Sequence, residues 1–338
     1  MDHIIKKYQR QVPAVGQIHL PDQYPTFGIE VAPEYKYVKD NQYSVGLWYA
    51  DTPHLYFMEF PNQMRMPLIS VTTVIHTFSR PFDVEKMSSR CAMKDDYNAD
   101  CLDKTNWEEI GISERQNRIK TAWSTNNKNA TEYGTYAHAV MEGVTINPTG
   151  NIENIHQEMS DKYKIHYSYI TTIAYIYRDE FLNPLIQEGW TVIAEPIVYN
   201  LSSVLAGQSD LVAIHHGKKS IKILDFKTNK VKPDLEKSYG NMLGELSHLK
   251  DTSYSHYCIQ LCLYQRFVQS IFPDYTLEVN ELLWIDRDAH TIVPVYIDPK
   301  DYQGEVNYIL STMRKISLQL FDYYQVNQYT NFNLRKVL

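Results

Sequence analysis

Hydrophobic positions change their spacing along this chain, and each change marks a different kind of element. Between Tyr35 and about Thr77, short apolar runs such as Tyr35-Lys-Tyr-Val, Ser44-Val-Gly-Leu-Trp-Tyr, Leu55-Tyr-Phe-Met and Leu68-Ile-Ser-Val-Thr-Thr-Val-Ile are separated by Asp, Asn and Pro. That pattern predicts β-hairpins. From about Val84 to Gly143 the spacing turns polar and helical, with interruptions expected near Asn98 and Asn127, and a strong helical pattern runs from about Asn154 to Ile186. After Gly189 the runs Trp190-Thr-Val-Ile-Ala, Val204-Leu, Leu211-Val-Ala-Ile and Ile221-Lys-Ile-Leu predict adjacent strands of one sheet. A helix over about 253–270, a hairpin over 277–297 and a closing helix over about 303–324 follow. The segment before about Pro25 has little periodicity and reads as an arm, and no internal repeat is present. The whole pattern predicts an α/β chain with strands concentrated at both ends.

Composition narrows the class. With 338 residues, 43% of them hydrophobic and 22% charged, the chain can bury a core, and its length leaves room for about two units. The pattern divides it into an arm and hairpin region, 1–67, and a larger unit, 68–338, with a helical part over about 84–188 and a β-rich core over about 189–300. No stretch reaches about 18 consecutive apolar residues, and Met-Asp-His-Ile-Ile-Lys-Lys-Tyr lacks the apolar centre of a signal peptide, so neither a membrane span nor classical secretion is expected. Cys91, Cys101, Cys258 and Cys262 are too few and too scattered for a disulfide framework, which points to a reducing, cytoplasmic compartment. A net charge of -7 excludes a uniformly basic surface coating nucleic acid and leaves room for a local basic groove. The 27 tyrosines suit core and amphipathic surface, with base stacking open to a few.

The chemistry concentrates between Gly207 and Lys232. If Gly217-Lys218 is the tight turn of a hairpin, Ile214 faces Ile221, Val212 faces Ile223, Asp210 faces Asp225 and Gln208 faces Lys227, all on one side. An apolar face then runs into a polar cluster, while Leu211 faces Leu224 on the other side. Carboxylates on directly opposed strand positions lie roughly 5 Å apart at Cβ and repel unless a proton or cation sits between them. A divalent ion such as Mg²⁺ or Mn²⁺ satisfies such a pair and assists phosphodiester cleavage. Lys227 shares that face and can hold an attacking water or neutralise charge developing on phosphate. An Asp-x-Lys tripeptide alone is common, and two solvated acids on an edge hairpin bridged by a lysine are the plain alternative.

Wider context gives the tripeptide meaning. Gly134-Thr-x-x-His138-x-x-x-Glu142, Gly207-x-x-Asp210, Asp225-Phe226-Lys227-Thr228 and Gln260-x-x-x-Tyr264, in that order, resemble the RecB-like branch of the PD-(D/E)XK nucleases. Phage exonucleases and the mitochondrial genome maintenance exonuclease are similar to this pattern, and Ser70-Val-Thr-Thr-Val resembles a segment that often opens such domains. The resemblance spans roughly residues 68–270. It implies a restriction-endonuclease-like core, a central mixed sheet flanked by helices. It also implies Asp210, Asp225 and Glu142 as metal ligands, joined by the Phe226 carbonyl and by His138 on metal or phosphate, with Lys227 as the catalytic lysine. Gln260 and Tyr264 would support the site and contact DNA. Glu195 falls where the branch often carries an acid, and Thr228, Lys230 and Lys232 follow the catalytic lysine as candidates for DNA contact. His138 and Glu142, four apart on a helix, project from one face, as do Gln260 and Tyr264.

Some members of this branch hold an iron–sulfur cluster through one upstream and three clustered downstream cysteines. Here two cysteines lie upstream and two flank Gln260, so no cluster is expected, and no Walker motif marks a motor. The expectation is a Mg²⁺- or Mn²⁺-dependent DNase, an exonuclease by resemblance, acting on DNA with a free end or single-stranded. Its setting by family habit is replication, recombination or repair in a bacterial or phage-infected cell. A non-cleaving DNA-binding scaffold, an RNase and an endonuclease with the same site stay open.

Overall fold

The computed structural model describes residues 47–50, 55–59, 65–238 and 240–326; the arm before Pro25 and the Tyr35 run lie outside these residues. In chain order the strands and helices are β1 (Leu47–Ala50), β2 (Leu55–Glu59), β3 (Arg65–Ser70), α1 (Val71–His76), α2 (Val84–Ala92), α3 (Ile112–Ile146) and α4 (Ile152–Tyr163). Then come α5 (Tyr169–Ile176), which continues through a wide π-type turn over Tyr177–Leu182 into α6 (Asn183–Glu188), and the strands β4 (Thr191–Ala194), β5 (Ile197–Asn200), β6 (Leu205–Gln208), β7 (Leu211–His215) and β8 (Ser220–Lys227). The chain closes with α7 (Ser253–Ile271), β9 (Thr276–Leu277), β10 (Asn280–Asp286), β11 (Thr291–Ile297) and α8 (Gln303–Val326).

The strands form two mixed sheets, in the orders β1-β2-β3-β6-β5 and β11-β10-β8-β7-β4, with β9 beside β8. The runs after Gly189 therefore do not build one sheet: β4, β7 and β8 share one, while β5 and β6 join β3 in the other. The reason is a bend within a single long hairpin. Pairing runs from Thr191↔Ile214 to Ala194↔Leu211, and again from Ile197↔Gln208 to Asn200↔Leu205. Between these stretches Glu195 N–H donates to Asp210 O (2.8 Å) and Ser209 N–H to Pro196 O (3.1 Å), so the register survives the corner. Pro196 removes a ladder donor and Glu195 takes φ +50°, and together they turn the strand out of the first sheet.

Hairpin β7–β8 has the register expected from the sequence over Val212↔Ile223 and Ile214↔Ile221, but a four-residue turn, His216–Lys219, replaces the two-residue one. Lys219 supplies the left-handed residue that this longer turn needs, at φ +51°. The ladder stops at Leu211↔Leu224, so Gln208 does not face Lys227; it pairs with Ile197 beyond the corner. Val212, Ile214, Ile221 and Ile223 pack into a core with α1, α7 and α8, while Leu211, Ala213, Leu224 and Phe226 pack into a second core with α3, α4 and α5. Helices thus cover both faces of the sheet, as β8 requires with apolar residues on each side.

Two helical expectations are corrected, and the boundary placed at 67/68 can be located in the fold. The run from Leu68 does not stay extended: after Ser70 the chain coils into α1, because Val71, Val74 and Ile75 bury one helical stripe. The expected break near Asn127 is absent, and α3 runs unbroken for 35 residues. Its exposed polar middle bridges two cores, a small one around Ala92, Trp107 and Ile119 and the large one holding Tyr133 to Val144. A solvated bridge needs no apolar stripe. The expected boundary at 67/68 falls inside β3, which pairs with both β2 and β6. Among the described residues no helix is long and apolar enough to cross a membrane.

Candidate active site

The corner of the bent hairpin gathers the chemistry. Glu195 and Asp210 sit opposite each other at the bend, and His138 reaches them from α3. One ligand atom each of His138, Glu195 and Asp210 lie within 4.8 Å of one another. Asp210 is gripped from two sides: its Oδ2 accepts the Phe226 N–H at 2.7 Å and its Oδ1 lies 3.3 Å from His138 Nδ1. That backbone bond ties the first acid to β8 just where the ladder has ended, one residue from Asp225. The Phe226 ring is buried between His138 and Tyr177, with centroids at 5.9 and 5.0 Å.

Asp225 is 2% exposed and pairs with Lys227 two residues along the same face of β8. The contact is made to its buried Oδ2, whose partner is therefore the Lys227 ammonium. The Lys227 ammonium also lies 4.4 Å from the centre of the Tyr257 ring on α7. Tyr257 was not singled out in the sequence, yet its spacing to Gln260 and Tyr264 puts all three on one helical face. Gln260 donates to the Tyr264 hydroxyl at 2.9 Å. Tyr264 in turn explains Gly207: a methyl at that position would approach Cζ of the ring to 2.7 Å, so only glycine lets α7 close on β6.

Glu142 lies one turn beyond His138 on α3 and feels the charges of Lys162, Asp210 and His138, without joining the three-ligand group. Thr228 packs against α3, its Oγ1 3.3 Å from where a Cβ on Gly134 would stand. Lys230 and Lys232 pair instead with Asp100 and Asp234, acids outside this cluster. Arg287 was missed; its Nη2 donates to the Thr228 carbonyl at 2.9 Å, from a turn with no sequence signal.

The electrostatics separate the acids. Burial opposes ionisation of Asp210, but His138, Lys227 and the Phe226 N–H outweigh it and hold this carboxyl below its usual range. Burial, then the charge of Asp210, pushes Asp225 up to about 6, only partly offset by Lys227. Glu195 is raised well above a normal glutamate by burial and by Asp210, Glu142 and Asp225. Burial and Asp210 likewise raise Glu142, against the pull of Lys162. Burial disfavours charge on His138 and Lys227, yet the surrounding carboxylates overrule it and raise both.

Four carboxylates thus crowd around one imidazole and one ammonium. Oxygen donors with a single imidazole suit Mg²⁺ or Mn²⁺, and a divalent ion relieves the repulsion that raises Glu195 and Asp225. Cys258 and Cys262, by contrast, are free buried thiols on α7.

No family model matches the chain, and no curated protein matches it. Among solved structures, the crystal structure of a "Putative exonuclease" from Eubacterium rectale aligns at a TM-score of 0.36 and 15% identity, covering 60% of this chain and 76% of that chain. A likeness that slight bears on neither fold nor activity.

Proposed function

We propose that this chain is a divalent-metal-dependent nuclease of the PD-(D/E)XK kind that hydrolyses phosphodiester bonds in DNA. One observation carries the reading: His138, Glu195 and Asp210 converge on a common point beside the Asp225–Lys227 pair. A purely structural cluster gains nothing from holding like charges together, since well-packed apolar residues of similar volume serve stability at least as well.

His138, Glu195 and Asp210 would hold the ion, with Asp225 and Glu142 near enough to adjust the charge around it. When bound, the ion supplies Lewis acidity, polarising the phosphate and acidifying a water. Asp210 keeps its negative charge through its two grips. Lys227, kept protonated by Asp225 and aimed by the Tyr257 ring, neutralises charge as it develops on the phosphate. Gln260 and Tyr264 brace the corner through Gly207. The nuclease unit is proposed to begin near β3 and to use the helical part, about 84–188, as one wall of its substrate path. Exonuclease action is the finer proposal and rests on the motif resemblance. Digestion of matched linear and closed-circular DNA, single- and double-stranded, with Mg²⁺, Mn²⁺ or chelator, tests both levels. Metal-dependent shortening of linear DNA with survival of closed circles is expected. Rapid nicking of circles demotes the exonuclease, preference for RNA changes the substrate, and inertness toward every substrate removes the nuclease.

A further inference from the structure

An aromatic surface adjoins the site that neither the metal ligands nor Lys227 accounts for. Tyr133 on α3 lies five residues before His138, about 7 Å back along the helix. The segment entering α5 brings Tyr167 and Tyr169, and the turn between β10 and β11 brings Arg287 and His290. The rings of Tyr169 and His290 are stacked 6° from parallel with centroids 4.7 Å apart. Tyr167 meets Tyr133 edge-on at 5.1 Å, and the Arg287 guanidinium lies 3.6 Å from the centre of the Tyr133 ring. Arg287 also holds the Thr228 carbonyl, immediately after Lys227, so this surface is bonded to the catalytic end of β8.

Core packing accounts for Tyr133, which is 1% exposed. It does not account for His290, which is exposed at a hairpin tip and takes φ +52°, where glycine or asparagine sits more easily. The turn that carries it is fixed, since Asp286 Oδ1 accepts from the N–H groups of both Asp288 and Ala289. A rigid, partly exposed stack of a tyrosine and an imidazole with an arginine behind it matches what an unpaired base and its phosphate require. Aromatic faces accept any base, and cationic groups track the backbone.

We propose that Tyr169 and His290, backed by Tyr133 and Arg287, form a subsite that stacks one base of a single-stranded segment next to the scissile phosphate. The inference rests on the nuclease reading for the bond that is cut, and goes beyond it in naming what holds the strand. A paired duplex hides its base faces, so the subsite selects single-stranded nucleic acid.

Fluorescence anisotropy with a labelled single-stranded oligonucleotide, on the full chain in chelator, tests it. Tyr169→Leu and His290→Ala should each weaken binding about tenfold, within the range found when a stacking aromatic is removed. Tyr169→Phe, which keeps the ring, and Tyr296→Ala, a control at a 63% exposed tyrosine on β11, should bind like the parent. In a series of oligonucleotides each with one abasic position, a single position should weaken the parent about tenfold and cost Tyr169→Leu nothing further. Unchanged affinity in both ring-removing variants, equal loss in Tyr169→Phe, or an abasic effect that adds fully to Tyr169→Leu overturns the subsite. If Tyr169→Leu unfolds, exposed His290→Ala carries the test. A parent that cuts DNA without this ring dependence keeps the nuclease and loses the subsite; one that binds with ring dependence but never cuts does the reverse.

Discussion

Two sets of buried titratable groups in this molecule behave in opposite ways. On α7, Cys258 and Cys262 are sunk in an apolar core, and burial pushes Cys258 up to about 12 and Cys262 higher still. At the corner of the bent hairpin Asp225 is nearly as buried and the other acids are partly so, and each is also set against charged neighbours. Asp210 goes down, Asp225 goes up to about 6, and His138 and Lys227 both gain protons. Burial alone silences a group by holding it neutral. Burial among opposing charges spreads the groups into different protonation states near neutral pH, which is what acid–base and metal chemistry needs.

The largest expected effect is catalytic. Asp210→Asn and Lys227→Ala should each lower the cleavage rate by roughly 10²–10³ or more while leaving DNA binding largely intact, because both act on charge in the transition state. Cys258→Ala, in the silent set, should stay within a few-fold of the parent. Rates with the same linear substrate, paired with anisotropy, check this. Parallel loss of binding in Lys227→Ala, or collapse of activity in Cys258→Ala, breaks the contrast.

Metal should separate the two regions next. Mg²⁺ or Mn²⁺ should raise the Tm of the parent in a concentration-dependent way, since an ion bound only by the folded state stabilises it by mass action. Asp210→Asn should blunt this response and Cys262→Ala should not. Calorimetric scans across a metal titration decide it, and equal responses in all three proteins would remove the metal from the corner.

The sequence displayed one part of this site and concealed the other. The β7–β8 hairpin was legible because apolar residues alternate on both faces, so the sequence alone sets Val212 opposite Ile223. His138, Gln260 and Tyr264 were suggested by the motif resemblance, with helical spacing in support, since it sets His138 with Glu142 and Gln260 with Tyr264 on one face. The corner was not, because a bend that keeps its hydrogen-bond register leaves the apolar pattern unchanged: Trp190 to Leu224 reads as one sheet whether or not Pro196 turns the chain. Glu195 therefore looked like one acid on a strand, whereas the bend brings it to the ligand group. The unbroken middle of α3 was hidden for a related reason, since a helix bridging two cores needs no stripe. Arg287 is joined to Thr228 only through the pairing of β10 with β8.

Acidity should sharpen the comparison further. In chelator, Asp225 binds its proton more tightly folded than unfolded, so between about pH 4 and its folded value near 6 stability falls as pH rises. His138, also raised, contributes stability that is present at low pH and lost as pH climbs through its folded value. Within the corner Asp210, held low, runs the other way, its contribution lost below the ordinary carboxylate range, and outside the corner burial lowers His76 and His156, which also lose stability as pH falls. The corner's own share of the metal-free Tm, read as the parent minus Asp225→Asn, should therefore rise as pH falls from 8 to about 5.5. With saturating Mg²⁺ the gain from metal should instead shrink over that interval, because protons compete for the same oxygens. A parent-minus-variant difference that falls steadily from pH 8 to 5.5 would count against the crowded corner.

The smallest effect distinguishes acids within the corner itself. Glu195 is held in an unfavourable charge by burial and three neighbouring carboxylates, so Glu195→Gln relieves repulsion and should raise the Tm in chelator at pH 7.5. Asp210 is favoured in its charged form, and Asp210→Asn leaves the Phe226 N–H with a weaker acceptor and His138 without its counter-charge, so it should lower the Tm. Each change should be on the order of 1 kcal/mol, the worth of roughly one pKa unit. The opposite signs matter more than the sizes, because two interchangeable surface acids would shift together. Asp210→Asn should also move the His138 titration, followed by NMR of the imidazole, toward an unperturbed value, while Glu195→Gln leaves the His138–Asp210 contact in place. If both variants move the Tm in the same direction and neither moves His138, the corner is a diffuse acidic patch rather than a site whose members hold different charges.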